Sequence, residues 1–122
     1  GSEFVGFLGT DLDVTIDLGA LTEVKKVTLH TLGQTGSWIY LPSSVDVQYM
    51  AALENENNGL TPPIKFQTKE VTQQEGNVKV EFNGTYTCRY IRVIAKNKGI
   101  IPAGNPGAGE KAWLFADEIE VE

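Results

Sequence analysis

The chain is poor in the residues that build metal centres and nucleophilic sites, because its 122 residues include one cysteine and one histidine. The single Cys88 excludes an intrachain disulfide and a cysteine metal cluster. Its neighbours in "YTCRYIRVIA" read as a strand, which predicts a buried and unreactive thiol. His30 is predicted to lie on the surface near a strand end, and a lone histidine supports no Ser-His-Asp constellation. We therefore predict no catalytic residue and no metal ligand.

Basic residues are also few, with ten Lys and Arg against sixteen Asp and Glu, for a net charge of −6. Nucleic acids and anionic membranes are held largely by Lys and Arg, so neither partner is expected. Long apolar runs are absent too, since no stretch approaches the roughly 18 residues of a membrane span. The apolar fraction of 41% is that of a single globular domain. Neutral ligands remain open.

A glycine-rich stretch, "GNPGAGEKA" (104–112), has nearly the spacing of a phosphate-binding loop but not its chemistry. Glu110 stands where that loop needs its lysine, Lys111 comes one position late, and Ala112 offers no hydroxyl to magnesium. The residues that follow alternate like a strand, whereas a phosphate-binding loop leads into a helix. The stretch therefore predicts a long loop between two strands.

What the sequence does contain is apolar and polar residues alternating with period two, bounded by turn residues. In "DLDVTIDLG" (11–19), four aliphatic side chains share one face and three aspartates share the other. Similar segments follow at 22–31, 43–51, 63–71, 77–84, 88–97 and 115–121. Seven short strands of this kind predict an all-β, antiparallel β-sandwich that forms one domain.

Three strand details can be tested against a structure. Segment 88–97 is apolar on both faces except at Arg92, which we expect to meet a carboxylate or carbonyls, because an unpaired buried guanidinium is costly. Segment 63–71 is predicted to align Ile64, Phe66 and Thr68 on one face. The aspartates of 11–19 are predicted to form a solvated face, because residues along a strand splay apart and do not converge on calcium.

The order of several sequence blocks resembles a known family. The blocks are "DLDVTIDLG", "VKKVTLHTL", "WIYLPSSVDVQY", "CRYIRVIAKNKG" and "PAGNPGAGEKAWLFADEIEV". Together they resemble the galactose-binding-like domain of the discoidin and coagulation-factor type C group, and are similar to family 32 carbohydrate-binding modules. The last block resembles the C-terminal module of family 20 glycoside hydrolases of the Bacteroides type, which are chitobiases or β-N-acetylhexosaminidases.

This resemblance implies a jelly-roll β-sandwich over residues 1–122, forming the C-terminal part of a larger bacterial hydrolase that is secreted, periplasmic or on the cell surface. It implies a non-catalytic accessory module whose partners are a glycan and the catalytic domain of the parent chain. Relatives carry a further N-terminal strand, often with a calcium site, ahead of the first block. The resemblance therefore implies that this chain lacks that strand and binds no cofactor.

Two loops, 32–42 and 97–113, each carry a tryptophan among Gly, Asn, Gln and Lys. Sugar recognition needs planar hydrogen-bonding side chains and an aromatic surface for the ring. The site of the resembled family lies on loops at one end of the sandwich, and the chain order predicts that these two loops share an end. The candidate ligand-binding residues are Gln34, Trp38, Tyr40, Asn97, Lys98, Asn105, Glu110, Lys111 and Trp113.

Two alternatives stay open at this point. Trp38 and Trp113 are each either ligand platforms or packing residues, and the polar candidates are either ligand contacts or a solvated loop. The His-Arg-Asn sugar triad of galactose-binding relatives is not visible, because Gln34, Ser37 and Trp38 stand where Arg and Asn are expected. The domain is thus either a glycan-binding module or a structural module that packs on the catalytic domain.

Overall fold

The computed structural model describes residues 5–53 and 65–122. Six strands form one antiparallel sheet in the order β1-β6-β2-β5-β3-β4. Their bounds are β1 Val5–Leu8, β2 Leu12–Gly33, β3 Ser44–Met50, β4 Lys65–Glu70, β5 Gly76–Lys96 and β6 Trp113–Val121. The predicted all-β, antiparallel class is confirmed. Within the described ranges, no helix has the length and hydropathy that a membrane span requires.

Two strands are far longer than the sequence predicts. β2 has 22 residues and β5 has 21, and they pair with each other along their length. Each combines two of the predicted segments, so the prediction of seven short strands is wrong in number. The ladder continues past Asp17 through a register shift in which Gly19 adopts a φ of 87°. The turn-like glycine therefore marks a bulge and not a chain reversal.

The long strands bend so that the sheet folds into two layers. The second half of β2 and the first half of β5 lie with β1 and β6, whereas their other halves lie with β3 and β4. Contacts between β4 and the first half of β5 join the layers. Gln67 Nε2 donates to the carbonyl of Asn83 at 2.9 Å, and Lys69 Nζ lies 5.6 Å from the ring centroid of Phe82. The result is a β-sandwich.

The core between the layers comes from the predicted apolar faces. One cluster includes Leu29 and Leu114 of one layer, and Val45, Val47 and Ile91 of the other. Its members come from strands distant in the sheet order, which shows that the two layers pack on each other. The cysteine of the sequence is also in this cluster and fully buried, and burial raises the pKa of its thiol. The predicted burial of Cys88 is confirmed.

The polar face of the first half of β2 is paired with cations. Arg92 Nε and Nη2 donate to the carboxylate of Asp13 at 2.9 and 2.6 Å, so the predicted partner of this arginine is confirmed. This hydrogen bonding holds the pKa of Asp13 below its ordinary value, because it favours the ionised carboxylate. Arg89 makes the same kind of pair with Asp17 at 3.0 and 3.2 Å. The aspartates are exposed, as predicted for a solvated face.

The predicted face of β4 is wrong where it can be checked. Phe66 is 53% exposed and Thr68 is exposed, whereas Ile64 lies outside the described residues. β4 is an edge strand, and the side chain it directs toward the rest of the sandwich is polar, because Gln67 Oε1 accepts a hydrogen bond from the hydroxyl of buried Tyr49 at 2.7 Å. A buried hydroxyl needs such a partner. That requirement outweighs the apolar pattern.

Tyr49 should make the domain less stable as the pH rises through the alkaline range. Its burial raises the pKa of Tyr49 to about 12, whereas an unfolded tyrosine ionises near 10. The unfolded chain therefore releases its proton first, and the free energy of unfolding should fall by roughly 1–2 kcal/mol between about pH 10 and 12. Urea titrations from about pH 8 to pH 12 check this. The Tyr49→Phe variant should show a shallower decline, and parallel pH profiles would contradict the assignment.

Candidate functional site

The two tryptophan-bearing loops meet at one end of the sandwich, as predicted. The first loop contains the last two residues of β2 and a 3-10 turn at Thr35–Ser37. Backbone hydrogen bonds then join it to the second loop, since Trp113 N donates to the carbonyl of Trp38 at 2.8 Å and Tyr40 N donates to the carbonyl of Trp113 at 2.9 Å. These bonds hold the two indole-bearing residues next to each other.

The second loop is hydrogen-bonded to itself. Ile101 N donates to the carbonyl of Glu110 at 2.9 Å, Gly109 N returns a bond to the carbonyl of Ile101 at 2.9 Å, and Ala112 N donates to the carbonyl of Gly99 at 2.8 Å. A small apolar cluster of Tyr40, Ile101 and Ala112 lies beneath it. The loop end is thus built before any ligand arrives, which is the usual condition of a small-molecule site.

Trp38 has an unusual backbone conformation. Its φ of 64° and ψ of 22° lie in the left-handed region, and it is the one non-glycine residue with positive φ among those that the structure describes. Its N–H donates to the carbonyl of Thr35 at 2.9 Å, which closes the 3-10 turn. A bulky residue in this region is strained, and such strain concentrates at binding sites. The side chain is 39% exposed.

A cleft of about 320 Å³ lies between the two tryptophans. Its walls are apolar, because Leu8 of β1 and Ile100 of the second loop line it together with both indoles. Trp113 packs edge-on against Phe115, with ring centroids 6.0 Å apart. The rest of the lining comes from Gly109, Glu110 and Lys111. Apolar walls with a carboxylate and an ammonium beside them fit a ligand that has both a flat apolar face and hydroxyl or amino groups. We call this feature the tryptophan cleft.

Four of the nine sequence candidates line the tryptophan cleft, namely Trp38, Glu110, Lys111 and Trp113. Three others lie in the two loops but outside this lining. Gln34 Nε2 donates to Ser37 Oγ at 2.8 Å and supports the 3-10 turn. Asn105 Nδ2 donates to the carbonyls of Pro102 and Ala103 at 3.2 and 3.4 Å. The third residue, Lys98, is half-buried.

The remaining two candidates, Tyr40 and Asn97, are structural. Tyr40 is 3% exposed, and its hydroxyl donates to the carbonyl of Pro106 at 2.7 Å. Asn97 Nδ2 donates to the carbonyls of Phe7, Thr10 and Ala112 at 3.0 to 3.2 Å, and its Oδ1 accepts from Gly99 N at 2.8 Å. Their polar atoms are satisfied within the protein, which indicates a structural role for both, and contact with a ligand stays a prediction.

Sequence reasoning missed Leu8, Ile100 and Gly109 in the cleft lining. Ile100 carries a partial signal, because Ile100 and Ile101 stand together between a glycine and a proline in a polar loop. Only the structure distinguishes them, since Ile100 is 61% exposed and Ile101 is buried. Leu8 carries none, because its strand has four residues and is too short to show alternation. The apolar walls were therefore only half visible from the sequence.

Gly107 sets the position of the Trp38 ring, which gives a test with a matched control. A methyl group at Gly107 would lie 2.7 Å from ring carbons of Trp38, whereas one at Gly104 would meet nothing within 4 Å. Both glycines have positive φ, at 80° and 87°, so the backbone strain should cost either alanine variant about 1 kcal/mol of stability, to which Gly107→Ala adds the cost of displacing the Trp38 ring. Only Gly107→Ala should shift the Trp38 indole resonance and fluorescence. Equal spectra for both variants would contradict the contact.

No protein family model matches the chain, and none of the curated proteins matches it in sequence. Among solved structures, the fold is similar to that of chitosan-binding module 1 from a chitosanase/glucanase of Paenibacillus sp. IK-5, with a TM-score of 0.52 and 19% identity. The superposition covers 100% of this chain and 79% of that module. At this identity the similarity concerns the fold.

Proposed function

We propose that this domain is a carbohydrate-binding module whose tryptophan cleft holds part of a glycan chain. The observation that carries the proposal is Trp38, a half-exposed indole held over the cleft by a strained left-handed backbone. A folded domain keeps such a conformation when the position of the side chain matters. The fold similarity to a chitosan-binding module supports the same conclusion.

The lining of the cleft suits a glycan that contains amino sugar. An indole face packs against the axial C–H groups of a pyranose, and the edges of the ring then require polar partners. The Glu110 carboxylate accepts hydrogen bonds from hydroxyl or ammonium groups, and the Lys111 ammonium donates them. The net charge of −6 favours a neutral or cationic polymer over an anionic one. Glucosamine-containing β-linked glycans meet these requirements.

The wider context follows from the same proposal. We infer a non-catalytic accessory module of a secreted or cell-surface bacterial glycoside hydrolase of the chitobiase or β-N-acetylhexosaminidase type. Holding one end of a glycan raises the effective concentration of substrate at a tethered catalytic domain, even when the module alone binds weakly. The catalytic domain of the parent chain and the glycan are then the two partners of the module.

Heteronuclear NMR of the ¹⁵N-labelled domain tests the binding. The chain has two tryptophans, so their indole N–H signals report on the cleft directly. The titrations use chitosan oligosaccharides, their N-acetylated forms and galactose-containing oligosaccharides. We expect both signals to shift with chitosan oligosaccharides, with their N-acetylated forms, or with both. An absence of shifts with all three at millimolar concentration would refute glycan binding at this site.

A second candidate is a structural module that packs on the catalytic domain. It is favoured by an open apolar groove of about 440 Å³, whose lining includes Val5, Phe7, Val14, Ile16 and Ile119. Contiguous exposed apolar surface commonly marks a protein contact. This candidate expects that deletion of the module lowers the thermal stability of the parent hydrolase and leaves its binding to insoluble glycan unchanged. Loss of glycan binding with unchanged stability would reject it.

A further inference from the structure

A bulge between β2 and β6 gathers titratable side chains away from the tryptophan cleft. Leu29 pairs with Ile119 and Thr31 pairs with Ala116, so one residue of β2, His30, lies opposite two residues of β6. One imidazole nitrogen of His30 and one carboxylate oxygen each from Glu118 and Glu120 lie within 4.8 Å of one another. Within this cluster, His30 Nε2 lies 2.8 Å from Glu120 Oε1.

This cluster is more than a surface ion pair. The His30 side chain is 19% exposed, although the sequence predicted a surface histidine, and both glutamates are half-buried. Asp117 is the neighbouring residue in the bulge, and its Oδ1 is buried without a hydrogen-bond partner. In the described part of the chain, no other buried side-chain oxygen or nitrogen lacks a partner. Asp117 and His30 line one cavity of about 440 Å³, which Lys79 also borders. A buried acceptor without a donor needs an explanation, and a hydrated cation supplies one.

We propose that His30, Glu118 and Glu120 bind a divalent transition-metal ion, with zinc the best match. One imidazole nitrogen and two carboxylate oxygens form a mixed donor set that suits zinc, whereas calcium and magnesium prefer oxygen alone. Zinc bonds of about 2.0–2.2 Å require donors closer together than 4.8 Å, and rotation of the glutamate side chains can provide this. His30 then binds through Nε2 in its neutral form, and the metal replaces the present contact to Glu120.

The fourth position of the ion would be taken by water. A metal-bound water donates strong hydrogen bonds, and the buried Oδ1 of Asp117 is an acceptor that lines the same cavity as His30. Among the described side chains, the cluster and the cavity together hold three carboxylates of β6 and one lysine, Lys79, and this excess of negative charge favours a positive ion. The bound ion would tie β2 to β6 across the bulge and raise the melting temperature of the domain.

Zinc titration of the whole chain by calorimetry tests the proposal, with ¹⁵N spectra of the imidazole as a direct readout. Because the chain has one histidine, any imidazole shift comes from His30. Zinc should shift its signals and raise Tm. His30→Ala and Glu120→Gln should each weaken binding by about tenfold or more. The matched control is Glu70→Gln, which removes the same charge from the exposed end of β4 and should bind zinc like the unchanged chain.

Because His30→Ala also removes the contact to Glu120, the His30→Gln variant, which keeps a polar side chain there, checks that any loss comes from the ligand and not from the fold. Circular dichroism of both variants should match that of the unchanged chain. No imidazole shift at millimolar zinc would overturn the proposal. Equal zinc affinity for the unchanged chain, His30→Gln and Glu120→Gln would overturn it as well.

Discussion

Replacing Trp38 by alanine is expected to weaken glycan binding by about ten- to hundredfold while the domain stays folded. The indole lines the tryptophan cleft and is 39% exposed, so a sugar ring placed there loses its main apolar contact when the indole is removed. Loss of an aromatic platform costs about 1.5–3 kcal/mol of binding free energy, which corresponds to that range of affinity. The measurement is isothermal titration or NMR titration with the oligosaccharide that binds best.

Stability should change much less than affinity in this variant. Alanine loses packing against Gly107, but it is more easily accommodated at a φ of 64° than tryptophan. The two effects oppose each other, and we expect a net change below about 1 kcal/mol. The matched control is Phe66→Ala, which removes another exposed aromatic side chain from an edge strand outside the cleft lining. Equal affinities for Trp38→Ala and Phe66→Ala would show that the indole is not the platform.

Replacing Asn97 by alanine should lower the free energy of unfolding by about 2–4 kcal/mol. The amide of Asn97 bonds three carbonyls and one N–H that belong to β1, to the turn before β2 and to both ends of the second loop. Its removal leaves several partly buried backbone groups without partners, each of which costs about 1 kcal/mol or more. Urea denaturation measures the effect, and Tm should fall by roughly 10 °C.

Asn105→Ala is the control for this prediction. It removes an amide of the same type from the same loop, but its bonds are exposed and reach only two or three residues back along the chain. We expect a loss below about 0.5 kcal/mol. If both asparagine variants lost the same stability, the amide of Asn97 would not be the anchor that its contacts indicate.

Much of the fold could be predicted from alternation alone, because the buried faces of β3, of each half of β5 and of the start of β6 follow period two. The number of strands could not. Gly19 carries the local signature of a turn, yet the ladder from Leu12 to Gly33 passes through it. Whether a glycine ends a strand or forms a bulge depends on the partner strand, and that partner lies some 70 residues away in sequence. The polar contact between Tyr49 and Gln67 is equally non-local. Because the sequence does not reveal this contact, alternation predicted that Phe66 is on the buried face, whereas it is exposed.

The residues of the candidate site could be predicted only where the type of a residue distinguishes a binding role from a structural one. An aromatic residue in a polar loop is a useful signal, and both predicted tryptophans, Trp38 and Trp113, line the tryptophan cleft. Amides and phenols are ambiguous, because they satisfy backbone groups as readily as ligand groups. Tyr40 bonds Pro106, which is 66 positions further along the chain, and only the folded chain reveals such a partner. The pairing of His30 with Glu120 spans 90 positions and was invisible for the same reason.

The length of β2 and β5 has a consequence for how the domain loses its structure. Each of these strands runs through both layers and hydrogen-bonds the other for most of its course. Neither layer consists only of strands of its own, because both contain parts of β2 and β5. A partly unfolded form that kept one layer intact would therefore break the hydrogen-bond ladder between these two strands. Opening events that expose the amides of β3 should therefore expose those of β6 at the same free energy, and the two layers should exchange hydrogen as one cooperative unit.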